Sequence, residues 1–191
     1  MSEVVHSFTT KVPRWQPYVV PVDLETATEE QRDAMQVTPS GKGISTYVLT
    51  LAHDPESLAV RSPLFNDIMY GKDGLALGER ELGATAASIV NRCVYCAAVH
   101  ASRFINYTKR PDVIDAVFAD GMDAELEEHL QAIFDFSARL STTPPIATEA
   151  DAVALADVGF EELQQLDLVF SAAIFGWANR LMHTLGEPVQ D

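Results

Sequence analysis

Cysteine is scarce in this chain: it has two, Cys93 and Cys96, separated by two residues. A chain of 191 residues can bury a core large enough to fold without covalent staples, which excludes a disulfide scaffold as the reason for them. Positive charge is scarce too. There are 13 Lys and Arg against 28 Asp and Glu, a formal charge of −15. Such a surface repels phosphate backbones, whose recognition rests on Lys and Arg, and anionic membrane faces for the same reason, so neither nucleic acid nor a membrane is expected as a partner. Long apolar runs are missing as well. Leu168 to Asn179 is the longest uncharged apolar-rich stretch, and it falls far short of the roughly 20 residues of a membrane-spanning helix. Met1 to Lys11 lacks a basic region followed by an apolar one, so no secretory signal is expected and the protein is expected to be cytoplasmic. In a reducing compartment a closely spaced thiol pair points to redox chemistry or to a metal.

The chain divides by pattern. Residues 1–43 read as an arm, punctuated by Pro13, Pro17, Pro21 and Pro39. Proline fixes its own φ and turns its predecessor away from helix, so this segment is expected to be extended apart from one short helix, Thr28 to Met35, capped by Thr28. Trp15 and Tyr18 need apolar contact, which places the arm on the domain or on a neighbouring subunit. Residues 44–191 are expected to be helical nearly throughout. Helices are predicted at Ser45–His53, Pro63–Tyr70, Gly78–Val90, Arg92–Tyr107, Asp112–Asp120, Ala124–Leu140, Glu149–Val158 and Phe160–Leu185. Gly121, Gly159 and Thr143-Pro144-Pro145 supply the breaks. No strand-like alternation follows Ile44, so the expected fold is all-α. The helices around Gly83–Ile89 and Ala97–Ile105 are poor in charge and rich in small residues, which suits the centre of the domain. The last helix is expected to close over them through Leu163, Leu166, Val169, Phe170, Ile174, Trp177, Leu181 and Leu185.

The chemistry concentrates between Glu81 and His100. On a helix Cys93, Cys96 and His100 fall within roughly 60° of one another, and Cys96 and His100 are i,i+4 neighbours. Asn91-Arg92 is expected to end the preceding helix and leave Cys93 in the first turn of the next, where free N–H groups favour a thiolate. Peroxide reduction needs such a set. A thiolate takes the terminal oxygen of the O–O bond and becomes a sulfenic acid, which a second thiol converts to a disulfide. The leaving alkoxide needs a proton, which a Cys–His pair backed by a carboxylate can supply. Glu81 is the candidate carboxylate, with Thr85 and Ser88 continuing its polar stripe. Each residue also has a plainer reading: the cysteines as small core residues, His100 as a satisfied buried histidine, Glu81 as a first-turn acid, Tyr95 as packing. Zinc on Cys93, Cys96, His100 and Glu81 is a rival, but structural zinc usually takes its CxxC from a turn and has more thiolates. No nucleotide, flavin or haem motif is present, so no cofactor and no metal is expected beyond the dithiol.

Glu, eleven residues, Cys-x-x-Cys, three residues, His resembles the signature of the alkylhydroperoxidase D-like proteins, within the carboxymuconolactone decarboxylase superfamily. The Asn-Arg-Cys-x-Tyr-Cys form at 91–96, with the late Asn179-Arg180, looks most like the peroxidase-related branch, and the resemblance spans roughly residues 44–186. It implies a thiol-dependent, antioxidant hydroperoxidase that forms homo-oligomers, trimers or hexamers, and is regenerated by an external dithiol or protein reductant. It implies Cys96 as the attacking thiol, Cys93 as the resolving one, and His100 with Glu81 as the proton relay. The helix dipole favours Cys93 as the more acidic thiol, whereas the i,i+4 contact with His100 favours Cys96. The family's best-studied branch has a histidine where this chain has Tyr95. A disulfide oxidoreductase that feeds a partner peroxidase, or a decarboxylase, would be the alternatives on the same scaffold.

Overall fold

The computed structural model describes residues 2–36 and 43–190; Pro39 lies outside them. The fold is all-α, with α1 Glu29–Met35, α2 Thr46–Leu51, α3 Pro55–Tyr70, α4 Leu77–Val90, α5 Val94–Thr108, α6 Pro111–Asp120, α7 Glu128–Ser141, α8 Glu149–Asp157 and α9 Glu162–Leu185. Short strands β1 Glu3–Val4, β2 Arg14–Pro17 and β3 Gly186–Gln190 form one antiparallel sheet with β3 in the middle.

Local chemistry sets the helix ends. Thr28 opens α1 with a reciprocal capping box, its hydroxyl accepting from the Gln31 N–H at 3.2 Å while the Gln31 side chain accepts from the Thr28 N–H at 3.0 Å. Asp54 caps α3 by accepting from the Ser57 N–H at 3.1 Å, and Pro55 fills the first helical position. The helix predicted from Pro63 therefore starts at Pro55, and Pro63 lies inside it. Pro63 and Ala59, whose carbonyl loses its helical donor, are both exposed, so solvent satisfies the group that proline leaves open. The helix predicted from Ala124 begins at Glu128 instead. A 3-10 turn covers Gly121–Asp123, and the Gln131 side chain accepts from the Leu126 N–H at 2.7 Å, holding the entry extended.

Helix α4 is the axis of the domain, packed by α5, α7 and α9. From Arg80 to Ile89 it is buried on every side, as expected for the charge-poor stretch Gly83–Ile89, and it carries the charged Arg80 and Glu81 into the interior with it. Gly83 allows the closest approach: a Cβ there would sit 2.9 Å from Leu168 Cδ1 and 3.2 Å from Ser137 Oγ. Buried Arg80 is tied down by the carbonyls of Leu75, Ile68 and Asp73 and by Asp167 Oδ2 at 2.7 Å. Helix α9 covers α4 with a face that only partly matches the one expected. Val169, Ile174 and Leu185 pack partly buried against the core, whereas Leu163, Leu166, Phe170 and Trp177 are exposed. The fully inward residues are Leu168, Ser171, Ala172, Phe175, Ala178, Asn179 and Met182, with Leu168 and Ser171 where Gly83 of α4 comes closest, and a reading based on hydrophobicity alone does not select the small and polar members of that face.

The strand β3 falls where no strand was expected. Its sequence, Gly-Glu-Pro-Val-Gln, has no alternation and holds a proline, which cannot donate to a ladder. The Pro188 carbonyl still accepts from the Val5 N–H at 2.9 Å, and Trp15 pairs with Pro188 in register. Trp15 is 5% exposed and donates from Nε1 to the Met182 carbonyl at 3.3 Å. Its ring lies over Gly186, where an added Cβ would meet Trp15 Cζ2 at 2.4 Å. The segment before α1 thereby reaches the cysteines of its own chain: Trp15, Cys93, Cys96 and Met182 form one buried cluster.

Candidate active site

The turn between α4 and α5 places the two thiols. Asn91 ends α4, and Arg92 follows at φ 54°, a left-handed conformation uncommon for a side-chain-bearing residue. This reversal puts Cys93 at the N-cap of α5, one position before its first helical residue, with its own N–H given to the Ser88 carbonyl at 2.8 Å. Cys96 follows one turn later. The sulfurs lie 2.7 Å apart as free thiols, both buried.

Their environments differ. The proton donated from Cys96 holds Cys93 below the ordinary thiol value, and this outweighs the effect of burial; the Cys96 backbone and the Asn179 side chain add to it. Burial pushes Cys96 well above that value, and the charge on Cys93 raises it further. Negative charge is thus favoured on Cys93 over Cys96, 2.7 Å from the Cys96 sulfur and at a helix N-terminus that favours an anion.

Glu81 on α4 and His100 on α5 are brought together as a hydrogen-bonded pair, His100 Nδ1 against Glu81 Oε2. Glu81 is fully buried and His100 is 4% exposed. The other carboxylate oxygen, Oε1, has no hydrogen bond, and Arg103 Nη1 stands 3.8 Å from it. Arg103 in turn donates to the Tyr70 hydroxyl. Burial and the neighbouring Glu81 charge push Tyr70 up to about 12, so it stays a phenol. The Phe175 ring meets the imidazole edge-on at 4.2 Å between centroids. Thr85 and Ser88 donate to the carbonyls of Glu81 and Ala84, so they complete α4 internally and do not relay toward the thiols.

Cys96 and His100 both line a cleft of about 250 Å³. Tyr47, Arg61, Phe65 and Arg103 wall it. Arg61 stacks on Phe65 at 4.4 Å and Tyr47 at 5.7 Å and has no ion-pair partner among the described residues. Burial pushes Tyr47 up to about 12 against the opposing charge and hydrogen bond of Arg61 beside it. The cleft is thus apolar and aromatic, with a guanidinium and a neutral phenol side by side in its wall.

The residues singled out in the sequence all lie here. Several others do not follow from any spacing: Tyr47 comes from α2, Arg61 from α3 and Arg103 from α5, outside the Glu81–His100 motif. Asn179 left a trace as the late Asn-Arg, but its place is a product of the fold. It is fully buried on α9, donates to Ser88 Oγ at 3.3 Å, accepts from Asn91 Nδ2 at 3.2 Å and lowers both thiols. Among the described residues no group of three or more His, Cys, Asp and Glu is placed to hold a metal ion, the four zinc candidates included. No helix among them is long and apolar enough to cross a membrane.

The family model for the carboxymuconolactone decarboxylase family matches residues 55–136, which contain the whole Glu81–His100 motif. No curated protein matches the chain. Among solved structures, the alkylhydroperoxidase AhpD core of a peroxidase-related protein from Ralstonia eutropha JMP134 is 29% identical over 94% of this chain and 93% of that one, with a TM-score of 0.77. A peroxidase-related protein from Silicibacter sp. TM1040 is 20% identical over 92% of this chain and 94% of that one, with a TM-score of 0.74. The debrominase Bmp8, as a Cys-to-Ala variant with 2,3,4-tribromopyrrole, is 16% identical over 92% of each chain, with a TM-score of 0.75. At these lower identities the likeness is one of fold.

Proposed function

We propose that this chain is a member of the carboxymuconolactone decarboxylase superfamily, whose family model matches residues 55–136 and whose alkylhydroperoxidase D-like helical fold it has, and that it is a thiol-dependent peroxidase acting on small organic hydroperoxides. The observation that carries this reading is the pair of sulfurs 2.7 Å apart beside a buried His100–Glu81 pair at the floor of an apolar cleft. Cys96 and not Cys93 lines that cleft, so Cys96 meets the peroxide. It attacks the terminal oxygen as its proton passes to the Cys93 thiolate. The O–O bond breaks, and the leaving alkoxide takes the proton held between His100 and Glu81. The products are an alcohol and a Cys96 sulfenic acid. Cys93 then attacks that sulfur, the S–O bond breaks, and the Cys93 proton leaves with the hydroxyl as water. An external thiol reductant returns the disulfide to the dithiol.

This division lets Cys93 be the more acidic thiol and Cys96 the attacking one, so the helix-dipole and histidine arguments no longer compete. Deep burial of both sulfurs weighs against direct exchange with a folded protein's disulfide, the oxidoreductase alternative. Decarboxylation has no evident use for a second thiol. The test is to mix reduced protein with tert-butyl hydroperoxide. One peroxide should consume two thiols, and dimedone should label Cys96 in a Cys93→Ser variant. Peroxide that consumes no thiols refutes the reading.

A further inference from the structure

We propose that the Cys93 side of the dithiol is a second binding site, for an anionic low-molecular-weight thiol that reduces the disulfide; this rests on the dithiol reading above. A separate cleft of about 410 Å³ reaches Cys93, lined by Trp15, Tyr18, Arg92, His183 and Glu187 among others. Cys93 does not line the Cys96 cleft, and Cys96 does not line this one. Tyr95 and Met182 line both and form the partition. Each sulfur of the pair is therefore reached by its own route, and the residue between the cysteines is part of the wall that keeps the routes apart.

The lining indicates the ligand. The volume lies within the range of small-molecule sites. Cys93 is 3% exposed at the cleft floor, so a thiol carried nearly flush on a folded protein would not reach it, whereas a small thiol enters whole. The lining includes the guanidinium of Arg92, which is exposed and without an ion-pair partner among the described residues and belongs to the residue immediately before Cys93 in the chain. The acid nearby, Glu187, is already engaged as acceptor for the Tyr18 hydroxyl at 3.1 Å. On a chain of formal charge −15, an anionic thiol would be repelled almost everywhere else, so a local guanidinium sets where it docks.

The chemistry balances with this thiol as the named co-reactant. Its thiolate attacks the Cys93 sulfur, an S–S bond forms between them, and the Cys93–Cys96 bond breaks. Cys96 leaves as a thiolate into the cleft that holds His100 and takes up a proton. A second thiolate attacks the outer sulfur of the mixed disulfide, releasing the oxidised dimer and the Cys93 thiolate. The protons of the two thiols restore the Cys96 thiol and the His100–Glu81 proton.

The experiment begins with protein oxidised by diamide, so that it does not depend on peroxide turnover. Disulfide reduction is followed with mercaptosuccinate, 2-mercaptoethanol and cysteamine, with rates corrected for thiolate fraction. Arg92→Glu should slow the anionic thiol on the order of tenfold and speed the cationic one, with the neutral one between them. Arg92→Gly, which accepts the left-handed backbone without strain, should abolish the preference for the anion. A quenched wild-type reaction should carry the mixed disulfide on Cys93. Equal changes for all three thiols, a mixed disulfide on Cys96, or reduction by thioredoxin but by none of the small thiols would each overturn the proposal. Failure of the peroxidase reading would show separately, as thiols that peroxide leaves unoxidised while diamide-oxidised protein still reports the charge preference.

Discussion

Glu81→Gln separates chemistry from stability. The glutamine is isosteric, so it keeps an oxygen against His100 and fits a site with no exposure. It removes one negative charge, 3.8 Å from Arg103 Nη1. At an effective dielectric near 20, that distance corresponds to a gross attraction of about 4 kcal/mol. Arg103 is about a third exposed, so screening reduces the figure, and the carboxylate's own desolvation cost disappears with the charge. The two changes oppose each other, and His100 against a neutral amide gives up its proton and leaves no unpaired buried charge, so stability should move by no more than about 1 kcal/mol. The rate behaves differently. A neutral amide no longer holds a proton on the imidazole for the departing alkoxide, and acid–base assistance of this kind contributes ~10²- to 10⁴-fold. Single-turnover oxidation of the reduced variant, read by stopped-flow fluorescence, should therefore be slower by about 10²-fold or more, with an unfolding midpoint close to wild type. Oxidation within about threefold of wild type would remove Glu81 from the proton path, since that is roughly 0.7 kcal/mol of barrier.

Other outcomes follow from the same coordinates. With the Cys93 value lowered and the Cys96 value raised, iodoacetamide should label Cys93 first at neutral pH. That rate should fall only as acid protonates Cys93 below the ordinary thiol range, while peptide mapping finds Cys96 unlabelled until well into the alkaline range. Asp167→Ala takes from buried Arg80 its one carboxylate among the described residues, and an acceptor from the Leu75 N–H at 2.9 Å. Breaking a buried pair costs about 3–5 kcal/mol, and the Arg80 carbonyl contacts keep it near the lower end. Thermal denaturation should show Tm lower by roughly 6–12 °C, and a shift under about 2 °C would contradict the account. The stripe of Leu163, Leu166, Phe170 and Trp177 on α9 is the surface we propose is covered in a homo-oligomer. Sedimentation should show Trp177→Glu as a smaller particle than wild type, and a monomeric wild type would refute this.

The helical class, the break at Asn91-Arg92 and the buried run of α4 were legible because they depend on local signals: periodicity, capping residues and missing charge. The Glu81–His100 spacing was legible for a similar reason, since two adjacent helices and one tight turn carry all four residues. The remainder depends on approach distances that no single segment encodes. The inward face of α9 includes Ser171, Ala172, Ala178 and Asn179 beside its larger residues because α4 comes close at Gly83, so hydrophobicity alone missed them and read Leu163, Leu166, Phe170 and Trp177, which are exposed, as core. The β3 strand has no pattern of its own and exists because β1 and β2 pair on both sides of it. Tyr47 and Arg61 reach the cleft from elements with no motif.

The sheet also sets an order of assembly. Trp15 and the Met182 carbonyl that it caps are 167 residues apart, and β3, just past the far end of that interval, pairs with β1 and β2 at its near end. Closing so long a loop is slow and entropically costly, so contacts of this kind form after the local helices. During synthesis α4 and α5 can pair while residues 186–190 are still unmade, which leaves Cys93 without its cover. The nascent protein should thus pass through a stage in which its thiols react with whatever oxidant or disulfide is nearby, and it should acquire selectivity only when the last strand docks.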